Sequence, residues 1–391
     1  MKVANNKKTN KRIEIYLGRE LLENNIFEGI IGPIENGEME HINDIESIKK
    51  KIPETKEILS ELKVQCDGEK MLIMQMLLDL LESKTSQETK DKEDPNERYP
   101  VHPFILSEMV SLAKFVDEDI VKSNEFSKII DAATPDDDNL YIKKRTIKKD
   151  KLFELDTPGV YHFGSIILPK LGYSNCEMTY YQLRHKDEDI AEFSPVEINS
   201  LKTPIRRAKG KVLVLGAGIG YLPYELSNKD DVESIVVVEN NANILKFFNN
   251  TILPNIKNKE KIKTIEFDFE EYLKSINDGD FDYCYIFLED KDDTGELFIK
   301  LKEICSKFEN IRTDFWNEAG IMSALMSYVC MVLFNEYAKN TGKEKFFEEL
   351  FALSYFEEVL KNKKIKRPDD VDDLMSYNNI LYLMERHAKQ S

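Results

Sequence analysis

A parallel α/β sheet is predicted by three features of this 391-residue sequence. Short, continuous apolar runs begin at Val212, Ser234, Ile262 and Phe281, spaced by roughly 20 to 25 residues, which suits β-α-β units. Amphipathic stretches with helical spacing lie between them, and apolar runs alternating with helices indicate strands covered on both faces. A glycine-rich turn, Gly216-Ala217-Gly218-Ile219-Gly220, follows the first run directly.

The length suits two or three domains at about 150 residues each, and four stretches of different texture follow one another. Residues 1–133 read as a helical N-terminal region: a loose polar tail over the first ten residues, then apolar residues at three- and four-residue intervals. Pro53 interrupts one of its helices, residues 83–100 are almost free of apolar side chains and read as an exposed linker, and a further helix is expected from Pro103. Residues 134–204 form a small β-rich segment with a lead-in helix; segments such as 161–168 and 178–185 are rich in aromatic and β-branched residues. The one basic cluster, 143–151, opens this segment. It is either a solvated edge strand whose lysines oppose aggregation or an anion patch, and the overall charge favours the former. Ser194-Pro195-Val196-Glu197 fits a capping box with proline at the first helical position, and that helix is expected to end near Pro204. Residues 205–316 hold the parallel sheet, with a fifth strand near 310–316. Residues 317–391 read as a helical extension, with helices expected over 318–337, 346–362 and 371–387.

Composition excludes some functions. The chain carries 55 basic and 72 acidic residues, a net charge of −17, so a general nucleic-acid binder is disfavoured. The longest apolar run, 321–334, falls short of the ~20 residues that cross a bilayer, and reads as a buried helix. The basic N-terminal stretch has no apolar signal-peptide core. Five dispersed cysteines without a Cys-x-x-Cys pair disfavour disulfide frameworks and zinc sites, and fit a reducing cytoplasm. The five histidines make no close pair, and no Gly-x-Ser-x-Gly turn occurs.

The glycine turn is the most informative feature. A chain that turns sharply at the end of a buried strand, and lets a ligand approach bare backbone, needs glycine there, and the helix that follows offers open N–H groups. Dinucleotide sites use G-x-G-x-x-G, but here the third glycine falls one position early, since Tyr221 stands sixth. Glu239 closes the second run, where a carboxylate can accept two hydrogen bonds from a ribose diol, or simply be a strand-end charge. Asp268 and Phe269 follow the third run; Asp268 also suits the N-cap of the next helix. Glu289 and Asp290 close the fourth run, as candidate bases or as part of an exposed acidic loop.

With the G-x-G-x-G turn and the Val-Val-Val-Glu run together, residues 211–308 resemble the cofactor-binding half of class I S-adenosylmethionine-dependent methyltransferases, and also the spermidine synthase-like aminopropyltransferases, which share this sheet. The resemblance implies a Rossmann-like sheet that binds S-adenosylmethionine through Gly216, Ala217, Gly218, Gly220, Tyr221, Glu239, Asn240, Asp268 and Phe269, with Glu239 on the ribose and Asp268 on the adenine. It implies methyl transfer to a small-molecule or protein acceptor, with Glu289 or Asp290 as an optional base. The alternatives are aminopropyl transfer from decarboxylated S-adenosylmethionine to a polyamine, and a non-catalytic binding module. The sequence departs from these families in three places. Val214 stands where many methyltransferases carry an acid, Leu288-Glu289-Asp290-Lys291 replaces the aspartate-rich loop of the aminopropyltransferases, and helices follow where two more strands are usual. Trp316, just past the fifth strand, is either an acceptor-site residue or a core residue.

Overall fold

The computed structural model describes residues 1–14, 16, 113–117, 119–133, 140–155, 159–160, 166–167, 170–186, 188–288, 294–342 and 351–388. Most of the helices expected before residue 113 lie outside these residues. So does most of the expected strand 161–168, of which Ile166–Ile167 pair antiparallel with Gly159–Val160.

The β-rich segment folds as an antiparallel sheet of β1 (Leu140–Ile147), β2 (Met178–His185) and β3 (Glu188–Phe193), with β2 central. The basic cluster therefore occupies an edge strand, as its charge pattern predicts. Lys144 pairs with Asp131, and Arg145 donates to Gln182 Oε1 at 2.7 Å. A smaller sheet of Lys114–Phe115, Phe153–Glu154 and Leu171–Tyr173 adjoins it, so the helix expected from Pro103 gives way to a strand at its end.

Helix α1 (Pro195–Arg207) starts as expected: Ser194 Oγ accepts the Glu197 N–H at 3.1 Å. It runs past Pro204 instead of stopping there, because proline removes one donor but its carbonyl still accepts the Ala208 N–H.

The main sheet alternates with helices: β4 (Gly210–Leu215), α2 (Tyr221–Ser227), β5 (Val232–Glu239), α3 (Ala242–Phe247), β6 (Ile262–Glu266), α4 (Phe269–Ser275), β7 (Tyr283–Ile286), α5 (Thr294–Cys305) and β8 (Arg312–Phe315). All five strands are parallel, in the order β6-β5-β4-β7-β8. Both faces are buried, which is why the runs are continuously apolar. Val212, Val214, Ile235, Val237, Tyr283 and Tyr285 face one core with α2, α3 and the lead-in elements. Leu213, Leu215, Val238, Cys284 and Ile286 face the other, with α4, α5 and the C-terminal helices.

Beyond β8 come α6 (Glu318–Thr341), α7 (Phe351–Leu360), α8 (Pro368–Leu374) and α9 (Tyr377–Ala388). No further strand joins the sheet among the described residues. The expected helix 371–387 is two helices, broken at Met375 and Ser376. At 24 residues α6 is longer than its apolar run and, by length and composition, long enough to cross a membrane. Its Met322, Leu325, Val329 and Leu333 are nonetheless packed in the core beneath the sheet.

The first ten residues are not a loose tail. Lys2–Val3 pair in parallel with Lys364–Ile365, a helix follows over residues 7–14, and Arg12 grips Asp372 with bonds of 2.6 and 2.9 Å. A two-residue strand with a partner at the far end of the chain leaves no local periodicity to read.

Candidate functional site

Because the strands are parallel and in register, their carboxyl ends form one row. Gly216 N–H donates to Val238 O at 2.8 Å, Phe287 N–H to Leu215 O at 2.7 Å, Phe267 N–H to Glu239 O at 3.1 Å and Trp316 N–H to Ile286 O at 2.8 Å. Gly216, Glu239, Phe267, Phe287 and Trp316 therefore line a single edge. The chain order reverses between β4 and β7, the usual position for a ligand crevice in an open α/β sheet.

The glycine turn leaves β4 with Gly216, Gly218 and Gly220 at φ +93, +51 and +94. At Gly220 a side chain would collide, since an added Cβ would stand 2.8 Å from Ile252 Cγ2. At Gly218 it would meet Ala191 at 3.8 Å and the Phe287 ring at 4.0 Å, ordinary contact distances, so a methyl would just fill the space between β3 and the end of β7.

Glu239 is 3 % exposed and ties the loop to the neighbouring strand. Its Oε2 accepts the Ala217 N–H at 2.8 Å and its Oε1 the Asn241 N–H at 2.9 Å. These are charge-assisted bonds to backbone, stronger than neutral ones. The Gly216 and Gly220 amides are also engaged within the protein, with Val238 O and Ala217 O. Only Gly218 and Ile219 keep loop N–H groups without a partner among the described residues. Of the loop amides at Gly216, Gly218 and Gly220, that of Gly218 is therefore the one left open, together with Ile219.

Asn240 is exposed beside Glu239. Asp268 is exposed and caps α4, Oδ1 accepting the Glu271 N–H at 3.0 Å. Two residues lie elsewhere than the family pattern implies. Phe269 opens α4 and is buried in the core with Leu273, one helical turn on. The aromatic side chain presented at this end of the sheet is Phe267, 47 % exposed, with Tyr272 edge-on at 6.1 Å. Tyr221 turns away from the loop into an aromatic cluster, 4.9 Å from Phe193 and 5.5 Å from Phe126, and its hydroxyl accepts from Asn124 Nδ2 at 3.2 Å. Glu289 and Asp290 lie outside the described residues.

Opposite the loop, Trp316 packs against Phe287 with ring centroids 5.7 Å apart. Its indole also favours the charged form of the Glu197 carboxylate on α1. Glu197 is half-buried as a residue but its carboxylate is enclosed by protein. Burial, then repulsion from Glu192, pushes its pKa up to about 8, against the opposing effect of Trp316. Glu192 on β3 is also raised, by burial above all; Ser194 Oγ, which donates to its Oε1 at 2.5 Å, and Gln182 oppose this. The capping box hid this wall from the sequence: its first half forms, but the Glu197 side chain is spent on Trp316. No cluster of metal-ligating side chains forms among the described residues.

Five parallel strands in this order, with a glycine turn after the first and a carboxylate closing the second, make a Rossmann-like α/β sheet. No family model and no curated protein matches the sequence. Solved structures with partial likeness include the methyltransferase domain of bacterial CtHen1, at 17 % identity over 29 % of this chain and 58 % of that one (TM-score 0.23). Spermidine synthase from Thermotoga maritima matches at 15 % identity over 39 % and 55 % (TM-score 0.28). A putative caffeoyl-CoA O-methyltransferase from Staphylococcus aureus matches at 17 % identity over 47 % and 70 % (TM-score 0.23). The chain spans a little over half the length of the first two.

Proposed function

We propose that this protein is an S-adenosylmethionine-dependent methyltransferase acting on a small-molecule or protein acceptor. One observation carries the reading: the buried Glu239 carboxylate holds the Ala217 amide, so a strand-end acid and a glycine turn share one crevice. The residues present fit the group. The Gly218 gap is a cradle that a methyl side chain would fill, and the Gly218 and Ile219 amides are open beside it. Glu239 closes β5 beside the loop, where the ribose would lie, and exposed Phe267 with Asp268 suits the adenine face and its amino group. When bound, an S-adenosyl sulfonium supplies an electrophilic carbon. The chain's own work is then to orient and to exclude water. Phe287 and Trp316 give the crevice an apolar wall, and the loop amides fix one end of the ligand.

Calorimetric titration of the full chain with S-adenosylmethionine, S-adenosylhomocysteine, decarboxylated S-adenosylmethionine and NAD tests this. The expected result is binding of the first two and not of NAD. Glu239→Ala should weaken binding about tenfold or more, the loss of at least one charge-assisted contact. Preference for NAD, or unchanged affinity in Glu239→Ala, overturns the reading. A second reading, aminopropyl transfer, is favoured by the acidic wall of Glu192 and Glu197, which suits a cationic acceptor; tighter binding of the decarboxylated donor would select it.

A further inference from the structure

Strand β1 is an open edge. It is eight residues long and pairs only with β2, since the sheet order is β1-β2-β3. The backbone groups on its other side meet no backbone or side-chain partner among the described residues. Tyr141, Lys144 and Thr146 are exposed along it, and exposed Lys148 and Lys149 continue it. An edge of this length is commonly covered or kept single by charge.

Its side chains fall on two faces. Leu140, Ile142, Lys144 and Thr146 share one, where Lys144 pairs with Asp131 and lies over the Tyr181 ring at 5.7 Å. Tyr141, Lys143, Arg145 and Ile147 share the other. There Lys143 has no partner among the described residues, and Arg145 bonds the neutral Gln182 at 2.7 Å. Two cations at alternate positions thus lack counter-charges beside a row of unused backbone donors and acceptors.

This pattern sets the chemistry of a partner. Alternating donors and acceptors are matched by an extended peptide, whereas a phosphodiester backbone offers acceptors alone. A second copy of β1 would lay Lys143, Lys144 and Arg145 against one another, which opposes pairing. A strand with carboxylates at alternate positions neutralises Lys143 and Arg145. Its other face meets Ile142 and Thr146 and so takes β-branched residues. The rest of the chain is net acidic and repels such a peptide, so attraction is confined to this edge.

We propose that β1 is a docking edge for an extended acidic segment of a partner protein, which adds to the sheet as a fourth strand with alternate carboxylates on Lys143 and Arg145. The edge lies two strands from Ala191, the β3 residue beside Gly218, and the proposal is independent of the donor reading.

The test titrates the full chain with a fluorescein-labelled heptapeptide of alternating valine and glutamate, read by anisotropy. The comparisons are its valine–lysine counterpart, a single-stranded oligothymidylate, and two versions of the acidic peptide, N-methylated at the valines or at the glutamates. In an added strand, one of these two sets of N–H groups faces β1 and the other faces solvent. The expected result is binding of the acidic peptide and not of the lysine peptide, with one N-methylated version inactive and the other active. Amides of 140–147 that face away from β2 should exchange freely in the unbound protein and be protected by the peptide. Lys143→Glu combined with Arg145→Glu should weaken binding about tenfold or more, with melting temperature as the control for folding. If that variant folds poorly, the paired N-methylated peptides read the same arrangement in the wild type. Absence of binding, an equal response to the two N-methylated versions, or preference for the oligonucleotide overturns the proposal. Full protection of 140–147 in the unbound protein also overturns it, since the edge would then be covered by the chain itself.

Discussion

Gly218 and Gly220 separate what a residue does for the fold from what it does for a ligand. Both lie at positive φ, so alanine at either costs about 1–2 kcal/mol from backbone conformation. At Gly220 the new methyl also meets Ile252 and Phe248, at 2.8 and 3.2 Å, and the variant should lose further stability. At Gly218 the methyl finds room in the protein but occupies the cradle. Gly218→Ala should therefore keep most of its thermal stability and lose nucleoside binding, whereas Gly220→Ala should show the larger drop in melting temperature. Equal affinity of Gly218→Ala and wild type would place the ligand elsewhere. The glycines and Glu239 were legible because strand, turn and acid are each local in sequence. Phe267 was not: Asp268 is the N-cap, so α4 begins at Phe269 and turns that ring inward, and only the register of the helix reveals it.

Helix α1 ties the antiparallel sheet to the parallel one, and its first turn holds a carboxylate whose pKa is raised by burial. Ser194 satisfies the Glu197 amide and the Glu192 carboxylate together. The sequence announced this helix through Ser194 and Pro195, but it assigned Glu197 to the cap; the true partner, Trp316, follows β8 and is brought near only by sheet order. Enclosure of Glu197 has a consequence for stability. Its folded pKa, about 8, lies above its ordinary value of 4.5, so the folded state binds more protons than the unfolded state between these values. The contribution is least unfavourable below pH 4.5 and worsens as pH rises toward 8. Urea unfolding across this range should show Glu197→Gln gaining on wild type as pH rises, with little difference in acid. A parallel pH dependence in the two proteins would mean that the carboxylate is solvated in the folded state.

One face of the parallel sheet is covered by the C-terminal helices, and the two ends of the described chain meet there. Ile13, Tyr16, Ile365, Val371 and Leu374 belong to the same core as Leu213, Ile286 and Phe315, so the N-terminal segment completes the C-terminal helical layer. Composition and periodicity disclosed two helical regions but not that one staples the other, because the pairing of Lys2–Val3 with Lys364–Ile365 has no signature in either segment alone. Removing residues 1–5 deletes that ladder, including the bonds from Lys2 N–H to Lys363 O at 2.9 Å and from Ala4 N–H to Ile365 O at 2.8 Å. At about 0.5–1.5 kcal/mol per bond the expected loss is about 1–3 kcal/mol. The candidate site, by contrast, is built from the carboxyl ends of the strands and the lead-in sheet, whereas the deleted residues pair with residues 364–365. The truncated protein should thus unfold at lower urea while binding S-adenosylhomocysteine as wild type does. An unchanged midpoint would show that the ladder adds nothing to the clamp, and weakened nucleoside binding would show that the helical layer and the crevice are coupled through the sheet.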